Sequence, residues 1–263
     1  MPLAIDLSGR IALVTGVTSG IGAGISRMLA KAGAGIAGCG MSDSTSHKVS
    51  AFESAVTASG RRAFYRQTNV ESPAELEALV NAVVAEFGGI DILVSSAGRN
   101  VFKGAEHCSE AEWLGNMDLN LASHWRLAKL CKPHLEASGR GVVQIMTSNH
   151  AWASIPGCFP YNVAKTALTG LVRSLAIEWG PKVRVVGIAP GFIETPGNNE
   201  WFAAFPDAAQ ERERTIRSHP AGKLGTCEEI GAWSAFLASD FAAFATGTTY
   251  LVDGGRLALL QDP

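Results

Sequence analysis

The chain has 263 residues, 47% of them apolar, and a formal net charge of −2 at neutral pH. That length and apolar share suit one large α/β domain or two small ones, with a sizeable core. The near-neutral balance, with no basic block, speaks against nucleic acid or a polybasic membrane contact as the partner.

In chain order, strand-like and helix-like segments alternate. "RIALVTG" reads as a strand, and Ile21, Ile25, Met28, Leu29 and Ala32 then recur at helical spacing. "GIAGC" and "RRAFYRQT" are a second and third strand. Leu76, Leu79, Val80, Val83, Val84 and Phe87 form an amphipathic helix after Pro73, a residue favoured in a first helical turn. "IDILVSS" is a fourth strand. Ser109 with Glu112 is a capping box opening a helix, and a longer helix runs from about Asn120 to Ala137. "GVVQIMT" is a fifth strand, Pro160 to Trp179 a helix, and "VRVVGIA" a sixth strand. Thr226 with Glu229 caps another helix, and "TTYLVDGG" is the last strand.

This alternation predicts an α/β fold: a single-domain, doubly wound parallel sheet, Rossmann-like, with helices on both faces, spanning 1–263. The break in rhythm is 192–223, long for a connection and rich in Pro, Asn, Ala and charge, which reads as a substrate lid. No apolar run reaches the roughly 18 residues of a membrane span. The N-terminus lacks the charged and apolar regions of a secretion signal. The five cysteines (39, 108, 131, 158, 227) are scattered, odd in number and form no CxxC, so neither disulfides nor a metal site are expected, and a cytoplasmic location is.

"TGVTSGIG" (Thr15 to Gly22) lies where the first strand hands over to the first helix. Glycines 16, 20 and 22 permit a tight turn and close backbone approach, and the helix N-terminus offers free N–H groups to a pyrophosphate. Together with "SSAG" (Ser95 to Gly98), Tyr161-x-x-x-Lys165, "PGFIET" (Pro190 to Thr195) and "VDGG" (Val252 to Gly255), it resembles the short-chain dehydrogenase/reductase family in its common, roughly 250-residue form. The resemblance covers essentially the whole chain. It implies a nicotinamide cofactor, hydride transfer to or from a carbonyl or alcohol carbon, and a homotetramer. It also implies cofactor contacts at Gly16, Thr18, Ser19, Gly20, Ile21, Gly22, Met41, Asn69, Val70, Ala97, Gly98, Tyr161, Lys165, Pro190, Gly191, Ile193 and Thr195. Two positions depart from the family pattern: its Asn-Asn-Ala-Gly is Ser95-Ser96-Ala97-Gly98, and the Asn three residues before the Pro-Gly pair is Gly187.

The end of the second strand, "CGMSDSTSH", bears on cofactor choice. By the resemblance, Gly40 holds the position of the acidic ribose ligand of NAD users and Met41 that of an Arg in NADP users. No cation is placed for a 2′-phosphate, so NAD is preferred and NADP remains possible through Ser42, His47 or Lys48. Asp43 reads as a turn residue or as a ribose ligand.

For the chemistry, oxidation of an alcohol needs its proton removed as hydride leaves. A free Tyr, with a pKa of about 10, is a poor base at neutral pH. A Lys four residues on shares its helix face, and its charge, with that of the oxidised nicotinamide, is expected to lower the Tyr pKa. Tyr161 and Lys165 fit that pair. Ser148, thirteen residues before Tyr161 at a strand end, matches the family's Ser and can donate to the substrate oxygen; Thr147 is its neighbour. Asn120 matches the helix Asn of the family's proton path.

On the substrate side, His150 and Trp152 lie in the loop after Ser148, and Asn198, Asn199, Glu200 and Trp201 in the lid; Arg99 and Asn100 follow "SSAG". Amides beside an aromatic suit a sugar or polyol, and the lid segment is similar to that of bacterial sugar dehydrogenases. The expected partner is a small-molecule substrate. The alternatives are an NADP-dependent 3-oxoacyl thioester reductase, for which Arg212, Arg214 and Arg217 are diluted by Glu211 and Glu213, and a nucleotide-binding protein without turnover.

Overall fold

A computed structural model describes residues 4–260. Its strands are β1 (Ile11–Thr15), β2 (Gly35–Gly40), β3 (Ala63–Gln67), β4 (Ile92–Ser95), β5 (Gly141–Met146), β6 (Val183–Pro190) and β7 (Thr249–Val252). The helices are α1 (Gly20–Lys31), α2 (His47–Thr57), α3 (Pro73–Phe87), α4 (Glu110–Met117), α5 (Ser123–Ala137), α6 (Tyr161–Trp179), α7 (Pro196–Ala203), α8 (Ala208–Arg217) and α9 (Cys227–Ala238). The strands form one sheet in the order β3-β2-β1-β4-β5-β6-β7, and every pairing is parallel.

Short apolar strands buried on both faces drive this architecture. β1, β4 and β5 contribute side chains to two apolar clusters. One cluster joins Ile25 and Leu29 of α1 to Ile230 and Leu237 of α9. The other joins Leu76 and Val83 of α3 to Leu127 and Leu135 of α5 and Leu168 and Val172 of α6. Helices thus cover both faces, as the sequence predicts. The order reverses between β1 and β4, so the crevice at their C-terminal ends is the topological switch point, where ligands of such sheets bind.

Local signals hold. Ser72 accepts from the Glu75 N–H and Pro73 opens α3, which stops at Gly88 with φ +87°. The Ser109–Glu112 and Thr226–Glu229 capping boxes open α4 and α9. Three elements differ from expectation. α2 follows the Ser-rich "SDSTS" and shows only a short apolar face, Val49, Phe52 and Val56. The segment 192–223 carries α7 and α8, each started by a side-chain cap, Thr195 and Asp207. The long helix expected from Asn120 begins instead with a π-helical turn, Asp118–Ala122, before α5. Among the described residues, no helix is long and apolar enough to cross a membrane.

Candidate active site at the switch point

The glycine turn between β1 and α1 is packed as a cradle. Gly16 has φ +78° and its N–H donates to the Cys39 carbonyl at 2.8 Å, which ties the turn to β2. A Cβ on Gly22 would lie 2.3 Å from the Gly16 carbonyl oxygen, so only glycine lets the first turn of α1 close on the loop. Ser19 is the N-cap of α1, yet its side chain makes no capping bond. Its hydroxyl, the Thr18 side chain and the N–H groups of the first turn therefore suit a pyrophosphate. Gly20 packs on Thr195, the cap of α7, and Gly191 packs on Asp253. The end of the expected cofactor segment, at Thr195, thus borders the same cradle.

The turn after β4 forms the facing wall. Thr15 Oγ1 accepts from the N–H groups of Ser96 and Ala97, both at 2.8 Å. Asn120, fully buried, accepts from the Arg99 N–H and donates to the Arg99 carbonyl at 3.0 Å and to Asn116 Oδ1 at 2.9 Å. Asn116 in turn donates to the Pro160 carbonyl at 3.0 Å, immediately before Tyr161. A polar ladder therefore links the β4 turn to the start of α6. Asn120 sits in the middle of the π-helical turn, a local irregularity that recurs at functional sites.

The structure brings Ser148, Tyr161 and Lys165 together at the ends of β5 and α6. Lys165 is 4% exposed, donates to the Met146 carbonyl at 3.0 Å, and places its ammonium 5.5 Å from the Tyr161 ring centre. The Ser148 hydroxyl accepts from the His150 N–H at 3.2 Å. Thr147 Oγ1 instead donates to the Ile188 carbonyl, a structural bond between β5 and β6. Burial pushes the Tyr161 phenol up to about 12, against the Ser148 hydrogen bond that lowers it, and burial alone pulls Lys165 down to about 8. Desolvation penalises both charged forms, so the lowering of Tyr161 expected beside Lys165 depends on the further positive charge of an oxidised nicotinamide.

The sequence reading missed three side chains here. Asn116 supports Asn120. The Phe102 ring lies 5.5 Å from that of Tyr161 and 5.9 Å from that of His150. His124 is fully buried behind the β4 turn, with Nδ1 2.7 Å from Ser95 Oγ. A signal existed: Asn116, Asn120 and His124 recur every four residues in a stretch whose other buried positions are apolar or small.

Desolvation first, and the Lys165 charge second, pull His124 down to about 3 from its ordinary 6.5. The unfolded chain therefore takes up this proton before the folded one, and stability falls as pH drops below about 6.5 toward 3. At pH 5 the expected loss from this group is about 2 kcal/mol. Urea midpoints at pH 7 and 5, compared with those of His124→Asn, measure it; equal pH dependence in the two proteins would contradict it.

Of the expected substrate residues, His150 reaches the site: its ring is 6.1 Å from Tyr161, and its buried Nδ1 has no partner. Trp152 stands 53% exposed and Asn199 is exposed on α7. Trp201 packs in an aromatic cluster with Phe192, Phe202 and Phe205. Asn198 is used locally, donating to the Ile193 carbonyl at 2.7 Å. On the cofactor side, Asp43 is a turn residue that accepts from Thr45. Met41 is 67% exposed, and Asn69 Oδ1 accepts from the Glu71 N–H. Both family departures have local partners: Ser95 bonds His124, and Gly187 leaves room for Thr249, whose Oγ1 would lie 2.4 Å from any Cβ. Among the described residues, no group of three or more His, Cys, Asp or Glu could hold a metal ion.

Fold and site together place the chain in the class of nicotinamide-dependent oxidoreductases. Residues 16–256 match the family model described as enoyl-(acyl carrier protein) reductase. The chain is 35% identical over 252 residues to the 3-oxoacyl-(acyl-carrier-protein) reductase FabG of Vibrio cholerae, covering 95% of this chain and 98% of that protein. It is equally 35% identical to dehydrogenase/reductase SDR family member 4 of Homo sapiens, covering 95% and 88%. The solved aldohexose dehydrogenase of Thermoplasma acidophilum superposes with a TM-score of 0.88 at 25% identity, covering 99% of this chain and all of that one. The chain belongs to the short-chain dehydrogenase/reductase family, whose members use NAD or NADP.

Proposed function

We propose that the chain is an alcohol/carbonyl oxidoreductase acting on a sugar or similar polar hydroxy compound, with NAD preferred. One observation carries the reading: Ser148, Tyr161, Lys165 and Asn120 converge at the strand ends beside the glycine cradle. A protein that only bound nucleotide would have no need of that set. The bound nicotinamide supplies the hydride acceptor or donor. Tyr161 moves the proton of the reacting oxygen, and Ser148 orients that oxygen by hydrogen bonding. Lys165, held by Met146, contributes the positive charge that favours phenolate, and the buried Asn120 fixes the turn beside it. His150, with its unpartnered Nδ1, is the residue best disposed to meet a polar group on the substrate. The whole chain acts as one catalytic domain, with 192–223 as the substrate lid.

NAD is favoured because β2 ends on Gly40 and the exposed Met41, which offer no cation to a 2′-phosphate. NADP is the second reading, and one observation favours it. His47 and Lys48, in the first turn of α2, line with Thr18 and Ser19 a cavity of about 440 Å³. A homotetramer is supported by the exposed apolar residues Trp233, Phe236 and Leu251 on α9 and the edge strand β7; light scattering after gel filtration should give four chains. The cysteines are free thiols, in keeping with a cytoplasmic location.

The substrate is tested by a panel of sugars, sugar acids and hydroxy acids with NAD and NADP. NADH formation with a sugar or polyol is the expected result. The FabG relative is a 3-oxoacyl thioester reductase by name, so such thioesters belong in the panel. Turnover only with NADPH and 3-oxoacyl thioesters would overturn the reading.

A further inference from the structure

The turn that follows β4, residues 95–99, faces the glycine cradle. A Cβ on Gly16 would lie 3.4 Å from Ala97, and one on Gly98 would lie 2.7 Å from Asn120 Oδ1 and 3.8 Å from Lys165 Nζ. Two clamps hold this turn: Thr15 holds Ser96 and Ala97 from the β1 side, and Asn120 holds Arg99 from the helix side. Its first residue has a third. Ser95, buried at the last position of β4, is bonded at 2.7 Å to His124 Nδ1, and His124 lies four residues after Asn120 on the same helical stripe.

The pair is unusual in what it costs. A fully buried imidazole replaces apolar contact at a position where aliphatic side chains of α5, such as Leu127 and Leu135, pack. Its Nε2 is buried with no partner. The Nδ1–H tautomer, donating to Ser95, leaves a lone pair on Nε2 rather than an orphaned N–H. A polar group kept in a core at such a cost, for one hydrogen bond, is retained for where that bond is placed.

We propose that His124 is a positioning residue for the cofactor: through Ser95 it fixes the β4 end of the turn 95–99, so that Ala97 and Gly98 are held at the distance from the glycine cradle that a dinucleotide requires. His124 touches neither substrate nor cofactor in this role. It acts through Ser95 as Asn120 acts through Arg99, and the two helical residues hold opposite ends of one five-residue turn. The inference rests on the nicotinamide-binding reading of the cradle.

The test uses Ser95→Ala, His124→Leu, His124→Asn and the double variant Ser95→Ala/His124→Leu. NADH and NADPH affinity is measured by fluorescence titration, alongside kcat, the cofactor KM and thermal melting. Loss of the bond is expected to weaken cofactor affinity about tenfold in each of the first two variants, with the cofactor KM rising in parallel and kcat changed by less than about threefold. The Asn side chain places an amide near the Nδ1 position, so His124→Asn should recover affinity to within about threefold of the parent. The double variant should be no weaker than either single one, because both remove the same bond. Should His124→Leu fail to fold, Ser95→Ala and His124→Asn still decide. Unchanged affinity in Ser95→Ala, additive losses in the double variant, or a lowered melting temperature with unaltered cofactor binding would each overturn the proposal. Failure of the parent protein to bind either dinucleotide would instead sink the cofactor reading, and would show before any variant is compared.

Discussion

Tyr161→Phe is expected to lower kcat by between about a hundredfold and ten-thousandfold, the range that a positioned proton-transfer group supplies, while leaving NADH affinity within about threefold. The substitution is well suited to the site. The Phe102 and His150 rings meet Tyr161 edge-on at 5.5 and 6.1 Å, and a phenyl ring keeps both contacts. The deleted atom is the hydroxyl that Ser148 stabilises in its charged form. Lys165 keeps its anchor on the Met146 carbonyl, so the electrostatics at the nicotinamide end are altered little. The loss should fall in kcat and kcat/KM together, the signature of an interaction made in the transition state. Turnover surviving within tenfold of the parent would mean that another group carries the proton. His150 is then the first candidate, since its Nδ1 is buried and unpartnered beside the same ring.

The pKa pattern at this site gives that experiment a second reading. Burial raises Tyr161 and lowers Lys165. A Tyr–Lys pair four residues apart therefore specifies proximity but not by itself an activated base. The cost of desolvation has to be offset by charge brought into the site. Periodicity and spacing made the strands, the capping boxes of α4 and α9 and the glycine turn legible, and the family resemblance singled out the Tyr161–Lys165 pair. What stayed hidden depends on partners far apart in the chain. His124 answers Ser95 across 29 residues, and Thr249 fills the space over Gly187 across 62. The bonds from Asn120 to Arg99, 21 residues apart, are equally non-local. α2 was hidden for another reason: only Val49, Phe52 and Val56 face inward, a stripe too sparse to announce a helix after a Ser-rich turn. In the lid, Asn198 reads as a free amide, yet the fold spends it on the Ile193 carbonyl.

Gly22→Ala is expected to weaken dinucleotide binding by on the order of a hundredfold, the upper end of what overpacking of this kind costs. The added methyl would lie 2.3 Å from the Gly16 carbonyl oxygen, 2.7 Å from its carbon and 2.9 Å from the Thr15 carbonyl oxygen. All three are backbone atoms of the cradle, and none can move aside as a flexible side chain can. α1 must lift from the turn, which separates its first N–H groups from the loop that would share the phosphate with them. Gly24→Ala is the matched control. Its methyl meets the Cys227 carbonyl at 2.4 Å, an equally hard backbone contact, but on the face of α1 that packs against α9. Both variants should melt at lower temperature, because each forces backbone apart. Only Gly22→Ala should lose affinity when binding is measured well below its melting temperature. Equal affinity losses in the two would mean that the cradle senses general loosening of α1. An unaffected Gly22→Ala would mean that the pyrophosphate is not held at this turn, and the assignment of residues 16–22 to the cofactor would fall with it.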